Sequence, residues 1–172
     1  LKALGASFHQ DDEYYVAQAK ELTGANIFLQ EASVTATENT IVAAVVAKGQ
    51  TVIKRAASEP HVVDLCQFLV KMGAQISGIG SNVLTINGVD SLTGTKHTIR
   101  PDHIEVGTFA ILAAVTKGKI EMEPVIGEDL DMVLLTLKKF QVEFKLEDNK
   151  LTVLDSTLEA VEKVVTDVWP GF

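Results

Sequence analysis

The sequence predicts a mixed α/β (α+β) fold built from repeated β-α-β-α-β-β units, and two observations predict it. The first is a period of 68 residues that relates three similar segments. The second is the order of patterns inside each period, where short strand-like runs alternate with longer stretches of helical apolar spacing. The three segments, each typical of a helix end that leads into a strand, are Leu1–Phe8, Leu69–Ile76 and Leu137–Phe144.

The first complete unit is predicted over residues 25–92 and contains two helices. One helix is expected over Glu38–Lys48. The other is expected over Glu59–Met72, with Ser58 as its N-cap, Pro60 in its first turn and Gly73 as its stop. The apolar positions that share one face of this second helix, and are therefore expected in the core, are Val62, Leu65, Cys66 and Leu69.

The second complete unit is predicted over residues 95–155, and the tail of an earlier unit is expected at the start of the chain. Its helices are expected over Val106–Thr116 and Glu128–Phe140. Between them, Thr116-Lys117-Gly118 before Ile120-Glu121-Met122 repeats Ala47-Lys48-Gly49 before Thr51-Val52-Ile53 of the first unit. In the first unit, the run Gly78-Ile79-Gly80 joins two strands rather than a strand and a helix, so it predicts a hairpin turn and not a dinucleotide-binding loop.

Acidic residues recur at the predicted helix starts. They lie in Thr37-Glu38-Asn39, Ser58-Glu59-Pro60 and Gly127-Glu128-Asp129. Ordinary capping accounts for each one singly, because the helix dipole favours a carboxylate in the first turn. If the units are stacked with equivalent helices pointing the same way, the same helix starts would also present N–H groups to an anion. Both interpretations fit the sequence.

Composition narrows the classes of function. The chain has 172 residues, 47% of them hydrophobic, and a net charge of −8, so one or two domains are expected and general binding to nucleic acid is not. Its single cysteine, Cys66, is expected to be a buried and unreactive thiol in a reducing compartment. No apolar run is long enough for a membrane span, and the first residues lack the pattern of a secretory leader. The chain begins with Leu1 rather than Met, so it is interpreted as a segment of a longer protein.

Two histidines, His97 and His103, flank Arg100-Pro101-Asp102. Two imidazoles and a carboxylate within seven residues are compatible with a metal, but a fourth ligand is missing nearby, so no metal site is expected. Asp102 and Glu105 stand at the entrance to an apolar helix. A hinge, a carboxylate-lined edge of a cleft and a plain N-cap all fit that position.

Five separated blocks of the chain resemble the UDP-N-acetylglucosamine 1-carboxyvinyltransferases of the enolpyruvyl transferase family. They occur in the family's order and spacing, and the chain would cover about two-fifths of the family's usual length. The blocks are Ala32–Asn39, Ala56–Asp64, Leu69–Ala74, Arg100–Thr108 and Trp169–Phe172.

The resemblance implies an enzyme that transfers the enolpyruvyl group of phosphoenolpyruvate to the 3-hydroxyl of UDP-N-acetylglucosamine. This is the first committed step of peptidoglycan synthesis, on which cell shape and division depend. The implied fold is an inside-out α/β barrel, present here in part, with residues 1–99 in a first domain and 100–172 in a second. The implied protein is a cytoplasmic monomer that needs no cofactor and has no nucleic-acid or membrane partner.

Site residues follow from the same resemblance. Ser33-Val34-Thr35 matches the loop that holds the uridine diphosphate, and Glu59 and Asp102 match acidic residues that line the cleft. Three positions depart from the usual family residue: Glu31 replaces Lys, Thr35 replaces Gly and His103 replaces Arg. No catalytic residue is expected within the chain, since the family's general acid would lie before Leu1 and its catalytic aspartate just beyond Phe172. The isolated segment is therefore expected to be inactive.

Two other functions stay open. The sister enzyme 5-enolpyruvylshikimate-3-phosphate synthase shares the implied fold and chemistry, although its substrate calls for a more basic pocket than this acidic chain offers. A non-catalytic scaffold that kept the repeated fold is the alternative of a different class, and the departures at Glu31 and His103 keep it open.

Overall fold

A computed structural model describes residues 1–171 of the chain. The chain divides into two compact units, unit 1 (Leu1–Thr98) and unit 2 (Ile99–Phe172). Each unit has its own buried apolar cluster.

Unit 1 contains one complete β-α-β-α-β-β unit in the predicted order. A short 3-10 helix and a two-stranded antiparallel hairpin precede it. The complete unit forms a four-stranded sheet in the order β3-β4-β6-β5, with β3 parallel to β4 and the other neighbours antiparallel. The elements are the 3-10 helix Lys2–Leu4, β1 (Ser7–Asp11), β2 (Tyr14–Gln18), β3 (Asn26–Phe28), α1 (Val34–Ala44), β4 (Gln50–Lys54), α2 (Pro60–Lys71), β5 (Gln75–Ser77) and β6 (Val83–Asn87).

Unit 2 repeats this topology without its first strand. Its antiparallel sheet has the order β7-β9-β8, which corresponds to β4-β6-β5 of unit 1. The elements are α3 (His103–Val115), β7 (Ile120–Met122), the 3-10 helix Gly127–Leu130, α4 (Asp131–Lys139), β8 (Phe144–Glu147) and β9 (Lys150–Val153). The prediction of a complete unit over residues 95–155 is therefore wrong, because its first strand is missing. Residues 88–102 form no regular element. Within unit 1, His97 is bonded to Asp64 of α2, and in unit 2 Pro101 has no N–H for a ladder.

The 68-residue period is also present in the backbone dihedral angles. Gly5, Gly73 and Gln141 follow one another at this spacing, and all three have positive φ, of 100°, 105° and 59°. Gly49 and Lys117 form a second such pair, with φ of 91° and 54°. The left-handed conformation ends a helix and redirects the chain into a strand. Gln141 and Lys117 keep this conformation although they are not glycine. The repeat predicted from the sequence is confirmed.

The two cores use equivalent positions. Residues of α2 and the following turn that are buried in unit 1 have buried counterparts 68 residues later in unit 2. The pairs are Val62 with Leu130, Cys66 with Leu134, Leu69 with Leu137 and Ala74 with Val142. Cys66 thus occupies a position that a leucine fills in the second copy, and its predicted burial is confirmed at 1% exposure.

The helices of unit 1 begin at other residues than predicted. Helix α1 begins at Val34 rather than Glu38, because the hydroxyl of Ser33 accepts a hydrogen bond from the N–H of Ala36 and caps the helix there. It also ends earlier than predicted. Helix α2 begins at Pro60, and Glu59 rather than Ser58 takes the N-cap position, without a capping bond from its side chain.

The helices of unit 2 differ in the same way. Helix α3 begins at His103, three residues before the predicted start, because Asp102 caps it. Helix α4 begins at Asp131, since the predicted start at Glu128 falls within a 3-10 helix. Of the three predicted acid-bearing helix starts, only Ser58-Glu59-Pro60 coincides with the start of an α-helix.

Candidate functional site

The predicted site residues of unit 1 share one edge of its sheet. Strands β3 and β4 run parallel, so both end at this edge, and each leads into a helix whose N-terminus lies there. The two strand ends are joined by a hydrogen bond from the N–H of Leu29 to the carbonyl of Lys54, of 3.1 Å. The β5–β6 turn lies at the same edge, because its Asn82 carbonyl accepts a hydrogen bond from the N–H of Ala56 at 3.0 Å. We call residues 29–37, 54–60 and 78–83 the carboxyl edge.

The segment Ser33-Val34-Thr35 is the N-terminus of α1 and not the loop that was predicted. Ser33 is the N-cap, and the first helical bond runs from the N–H of Thr37 to the carbonyl of Ser33 at 3.0 Å. By the geometry of an α-helix, the N–H groups of Val34 and Thr35 have no partner within the helix. Such groups, with the positive end of the helix dipole, favour an anion.

Thr37 fixes this helix to the second strand end. Its Oγ1 donates to the carbonyl of Ser33 at 2.7 Å and accepts the N–H of Ala57 at 2.9 Å. The side chain is fully buried. Thr37 was predicted as part of a helix start and lies instead one turn inside α1, where it sets the position of Ser33 relative to the segment that contains Glu59.

Arg55 follows β4 directly and has a left-handed backbone, with φ of 58°. Its Nη1 donates a hydrogen bond to the carbonyl of Gln30, two residues after the end of β3. Arg55 therefore extends across the carboxyl edge, from one strand end to the other. The sequence marks it only as the single arginine among residues 1–98.

Glu59 is half-buried at the start of α2. Its Oε2 atom is buried, and no described residue offers it a hydrogen bond. Since an unpaired carboxylate oxygen is costly to bury, this atom is one that a ligand or a further segment would satisfy. Ser33, Val34, Thr35 and Glu59 are thus brought to one edge.

Asp102 lies in unit 2 as the N-cap of α3. Its Oδ1 accepts the N–H of Ile104 at 2.8 Å and that of Glu105 at 3.3 Å. Of the interpretations that the sequence left open, the N-cap is the one that the structure shows. The side chain is exposed at the surface of its unit.

Two neighbours of Asp102 make specific contacts within unit 2. Arg100 Nη2 donates to both carboxylate oxygens of Asp129, each at 2.7 Å. The imidazole of His103 meets the indole of Trp169 edge to face, with 5.2 Å between ring centroids. Trp169 and Asp129 help to line a cavity of about 250 Å³ beside the start of α3.

The two histidines of the Arg100-Pro101-Asp102 region make their contacts within different units. His97 lies against α2, where its Nε2 is 2.9 Å from Oδ1 of Asp64, while His103 packs on Trp169. Residues 1–171 contain no group of three His, Cys, Asp or Glu side chains that could hold a metal ion. Within the same residues, no helix has both the length and the apolar character to cross a bilayer.

Comparison with known proteins identifies a family. A family model described as EPSP synthase (3-phosphoshikimate 1-carboxyvinyltransferase) matches residues 1–169. The UDP-N-acetylglucosamine 1-carboxyvinyltransferase of Treponema denticola is 46% identical over 180 residues, which cover all of this chain and 42% of that protein. UDP-N-acetylglucosamine 1-carboxyvinyltransferase 2 of Bacillus cereus is 43% identical over 172 residues and 40% of its length. The chain spans about two-fifths of the length of these relatives.

Solved structures share the fold. The enolpyruvyl transferase NikO from Streptomyces tendae matches with a TM-score of 0.86 and 21% identity, over 99% of this chain and 44% of that one. EPSP synthase from Acinetobacter baumannii matches with a TM-score of 0.71 and 20% identity, over 93% of this chain and 39% of that one. The predicted fold class is confirmed. Because the family model extends over nearly the whole chain, the chain belongs to the EPSP synthase (3-phosphoshikimate 1-carboxyvinyltransferase) family.

Proposed function

We propose that this chain is part of an enzyme that transfers the enolpyruvyl group of phosphoenolpyruvate to the 3-hydroxyl of UDP-N-acetylglucosamine, in the cytoplasm, as a step of peptidoglycan synthesis. The relatives that are 43–46% identical over the whole chain carry the name of this activity. The observation that carries the proposal is the carboxyl edge, where the start of α1 and an unpaired oxygen of Glu59 lie at adjacent strand ends.

The chemistry of the edge suits one part of this substrate. The N–H groups of Val34 and Thr35 and the hydroxyl of Thr35 would donate to oxygens of the uridine diphosphate, and Ser33 would hold the helix start in place. The unpaired oxygen of Glu59 would accept a hydrogen bond from a sugar hydroxyl. A chain that is acidic overall, with a net charge of −8, can hold an anion in this way, because the donors are fixed locally by the backbone.

Unit 1 would be part of a first enolpyruvyl transferase domain and unit 2 part of a second. In unit 2, Asp102 would line the cleft next to the sugar. Oδ1 is used in capping α3, so this carboxylate would be held in a fixed orientation rather than moving freely. A substitution of Asp102 that weakens this cap would therefore disturb both helix α3 and the contact with the substrate.

The reaction would be an addition followed by an elimination. A carboxylate takes the proton of the sugar 3-hydroxyl, whose oxygen bonds to C2 of phosphoenolpyruvate while a general acid protonates C3. The tetrahedral adduct then loses a proton from C3 and its phosphate, which restores the double bond. The acid, the catalytic aspartate and the residues that clamp phosphoenolpyruvate would come from parts of the protein outside this segment. The segment alone is expected to release no phosphate from the two substrates.

The test of substrate choice uses the full-length protein. Phosphate release from phosphoenolpyruvate is measured with UDP-N-acetylglucosamine and, in parallel, with shikimate 3-phosphate. Turnover with the UDP-sugar alone supports the proposal, and turnover with shikimate 3-phosphate alone replaces it with the sister activity. Release with neither, from protein that is folded by circular dichroism, would favour the non-catalytic scaffold.

A second test addresses the site. Glu59→Gln keeps the size of the side chain and removes its charge, and we expect at least a tenfold loss of kcat/KM for UDP-N-acetylglucosamine, since one charge-assisted hydrogen bond contributes about 1.5–3 kcal/mol. Glu13→Gln, in the exposed β1–β2 turn, is the matched control and should behave as wild type. Equal activity of both variants would remove Glu59 from the site.

A further inference from the structure

We propose that Arg55 is a specificity-determining residue for the nucleotide, whose guanidinium binds the diphosphate held at the start of α1. This inference rests on the proposed function, because it assumes that a nucleoside diphosphate-sugar binds at the carboxyl edge. Arg55 would be the cation of unit 1 that binds the diphosphate of this ligand.

The first argument is the position of the side chain. Arg55 follows the end of β4, yet its Nη1 reaches the carbonyl of Gln30, two residues after the end of β3. Gln30 lies three residues before the N-cap Ser33, so the guanidinium is held beside the approach to α1 rather than beside its own helix. A guanidinium has five N–H donors, and the bond to Gln30 uses one of them.

The second argument is the backbone. At φ of 58°, Arg55 adopts a left-handed conformation that residues with a side chain rarely take. The turn is locked on its far side, since the next N–H, of Ala56, donates to the carbonyl of Asn82 at 3.0 Å. The backbone that carries Arg55 is therefore held in this conformation by a bond to the β5–β6 turn.

The third argument is charge. Glu31 is exposed two residues before Ser33, and Glu59 stands at the start of α2, so two carboxylates lie on the segments that would receive a dianion. Backbone N–H groups carry only partial charge, and like charges nearby weaken the binding of an anion. Arg55 provides a full positive charge between these two segments, and its planar fork fits phosphate oxygens better than an ammonium does.

The experiment uses the full-length enzyme with two variants that remove the side chain. Arg55→Gly preserves the left-handed turn, and Arg55→Ala tests whether the result depends on it. We expect the KM for UDP-N-acetylglucosamine to rise roughly tenfold to a hundredfold, with little change in kcat or in the KM for phosphoenolpyruvate. Binding of uridine, which lacks the diphosphate, should not change. An unchanged KM for the UDP-sugar in both variants would overturn the inference.

Two further variants separate a specific contact from general charge. Lys54→Ala removes the adjacent cation, at the exposed end of β4, and should raise the same KM less than threefold. A rise equal to that of Arg55→Gly would overturn the inference in favour of a general field. In Arg55→Gly, adding Glu31→Lys places a cation on the neighbouring segment and should recover part of the lost affinity. If the wild-type enzyme does not turn over UDP-N-acetylglucosamine at all, the proposed function fails. If the Arg55→Gly enzyme is active and has the KM of the wild type, only the inference about Arg55 fails.

Discussion

Nε2 of His97 lies 2.9 Å from Oδ1 of Asp64, and on the other side of the ring Nδ1 lies 3.1 Å from Nζ of Lys71. Because an ammonium group only donates, Nδ1 of His97 accepts from Lys71, and Nε2 is left to donate to Asp64. Phe68 packs against the same ring, with 5.3 Å between ring centroids. Three side chains on one face of α2 therefore hold residues 91–98, which we call the strap.

Removing the imidazole should release the strap from α2. His97 is only 8% exposed and Asp64 11%, so the loss of their bond leaves a carboxylate that is largely desolvated. In His97→Ala we expect amide hydrogen exchange in residues 91–98 to accelerate roughly tenfold to a hundredfold, because a bond of this kind contributes about 1.5–3 kcal/mol. The Thr93 N–H, which donates to the carbonyl of Met72 at 2.8 Å, is the amide to follow. His9→Ala, on exposed β1, should leave the strap unchanged.

The core of both units could be predicted from the sequence because burial follows from periodic spacing. Val62, Cys66 and Leu69 recur at helical intervals, and all three are buried. The stop residues were also predictable where the chain uses glycine, as at Gly73, since only glycine takes a left-handed turn without strain. The same turn at Gln141 shows that the repeat, and not the residue type, indicates the conformation there.

The helix starts were predicted too late in the chain because two local caps were missed: Ser33 and Asp102 each accept a hydrogen bond from an N–H two or three residues ahead. The site geometry could not be predicted, because it depends on contacts between segments far apart in sequence, such as the bond from the N–H of Ala57 to Thr37. The crossing of Arg55 to Gln30 depends on a backbone conformation that composition does not reveal. Ser33, Val34, Thr35, Glu59 and Asp102 as substrate-binding residues stay predictions, to be tested by kinetics.

Cys66 should react only when the protein unfolds. Burial raises the pKa of its thiol from the ordinary value of 9.0 to about 11, and the Glu38 carboxylate adds to the rise. At pH 8 the nucleophilic thiolate is therefore scarce and the sulfur inaccessible. Labelling by a disulfide reagent should be slow in native protein and fast in urea. Rapid labelling in native conditions would show that α2 opens readily.

The same thiol makes stability fall at high pH. Its pKa is higher in the folded state than in the unfolded state, so the fold favours the neutral thiol. The resulting contribution to stability is complete below about pH 9 and is lost as the pH rises to about 11. Thermal melting from pH 8 to 11 should therefore show a steeper decline in wild type than in Cys66→Ala. Parallel declines would contradict this assignment.

Thr51 and Thr37 are both fully buried, but their hydroxyl groups differ. Oγ1 of Thr51 in β4 finds no hydrogen-bond partner among residues 1–171, whereas Oγ1 of Thr37 has two. Replacing a buried unpaired hydroxyl by a methyl group removes a desolvation cost, so Thr51→Val should raise the free energy of unfolding by about 1 kcal/mol. Urea unfolding of the purified wild-type and variant proteins measures this difference in the free energy of unfolding.

Thr37→Val is the matched variant, because it makes the same change where both bonds exist. It leaves the N–H of Ala57 unsatisfied and should lower the free energy of unfolding by about 1–3 kcal/mol. A loss of similar size in both variants would mean that Thr51 has a partner in solution, such as a buried water molecule.

Arg100 and Asp129 should matter more to unit 2 than its exposed ion pairs do. Asp129 is 8% exposed, and both of its oxygens accept from one nitrogen of Arg100, whose side chain is 24% exposed. Asp129→Asn keeps the shape but removes the negative charge that both bonds from Arg100 reach, so we expect a loss of about 2–3 kcal/mol in the free energy of unfolding. In Glu121→Gln, whose partner Lys119 is exposed like Glu121 itself, solvent screens the charges and no measurable change is expected. Equal losses in the two variants would show that burial does not strengthen the Arg100–Asp129 pair.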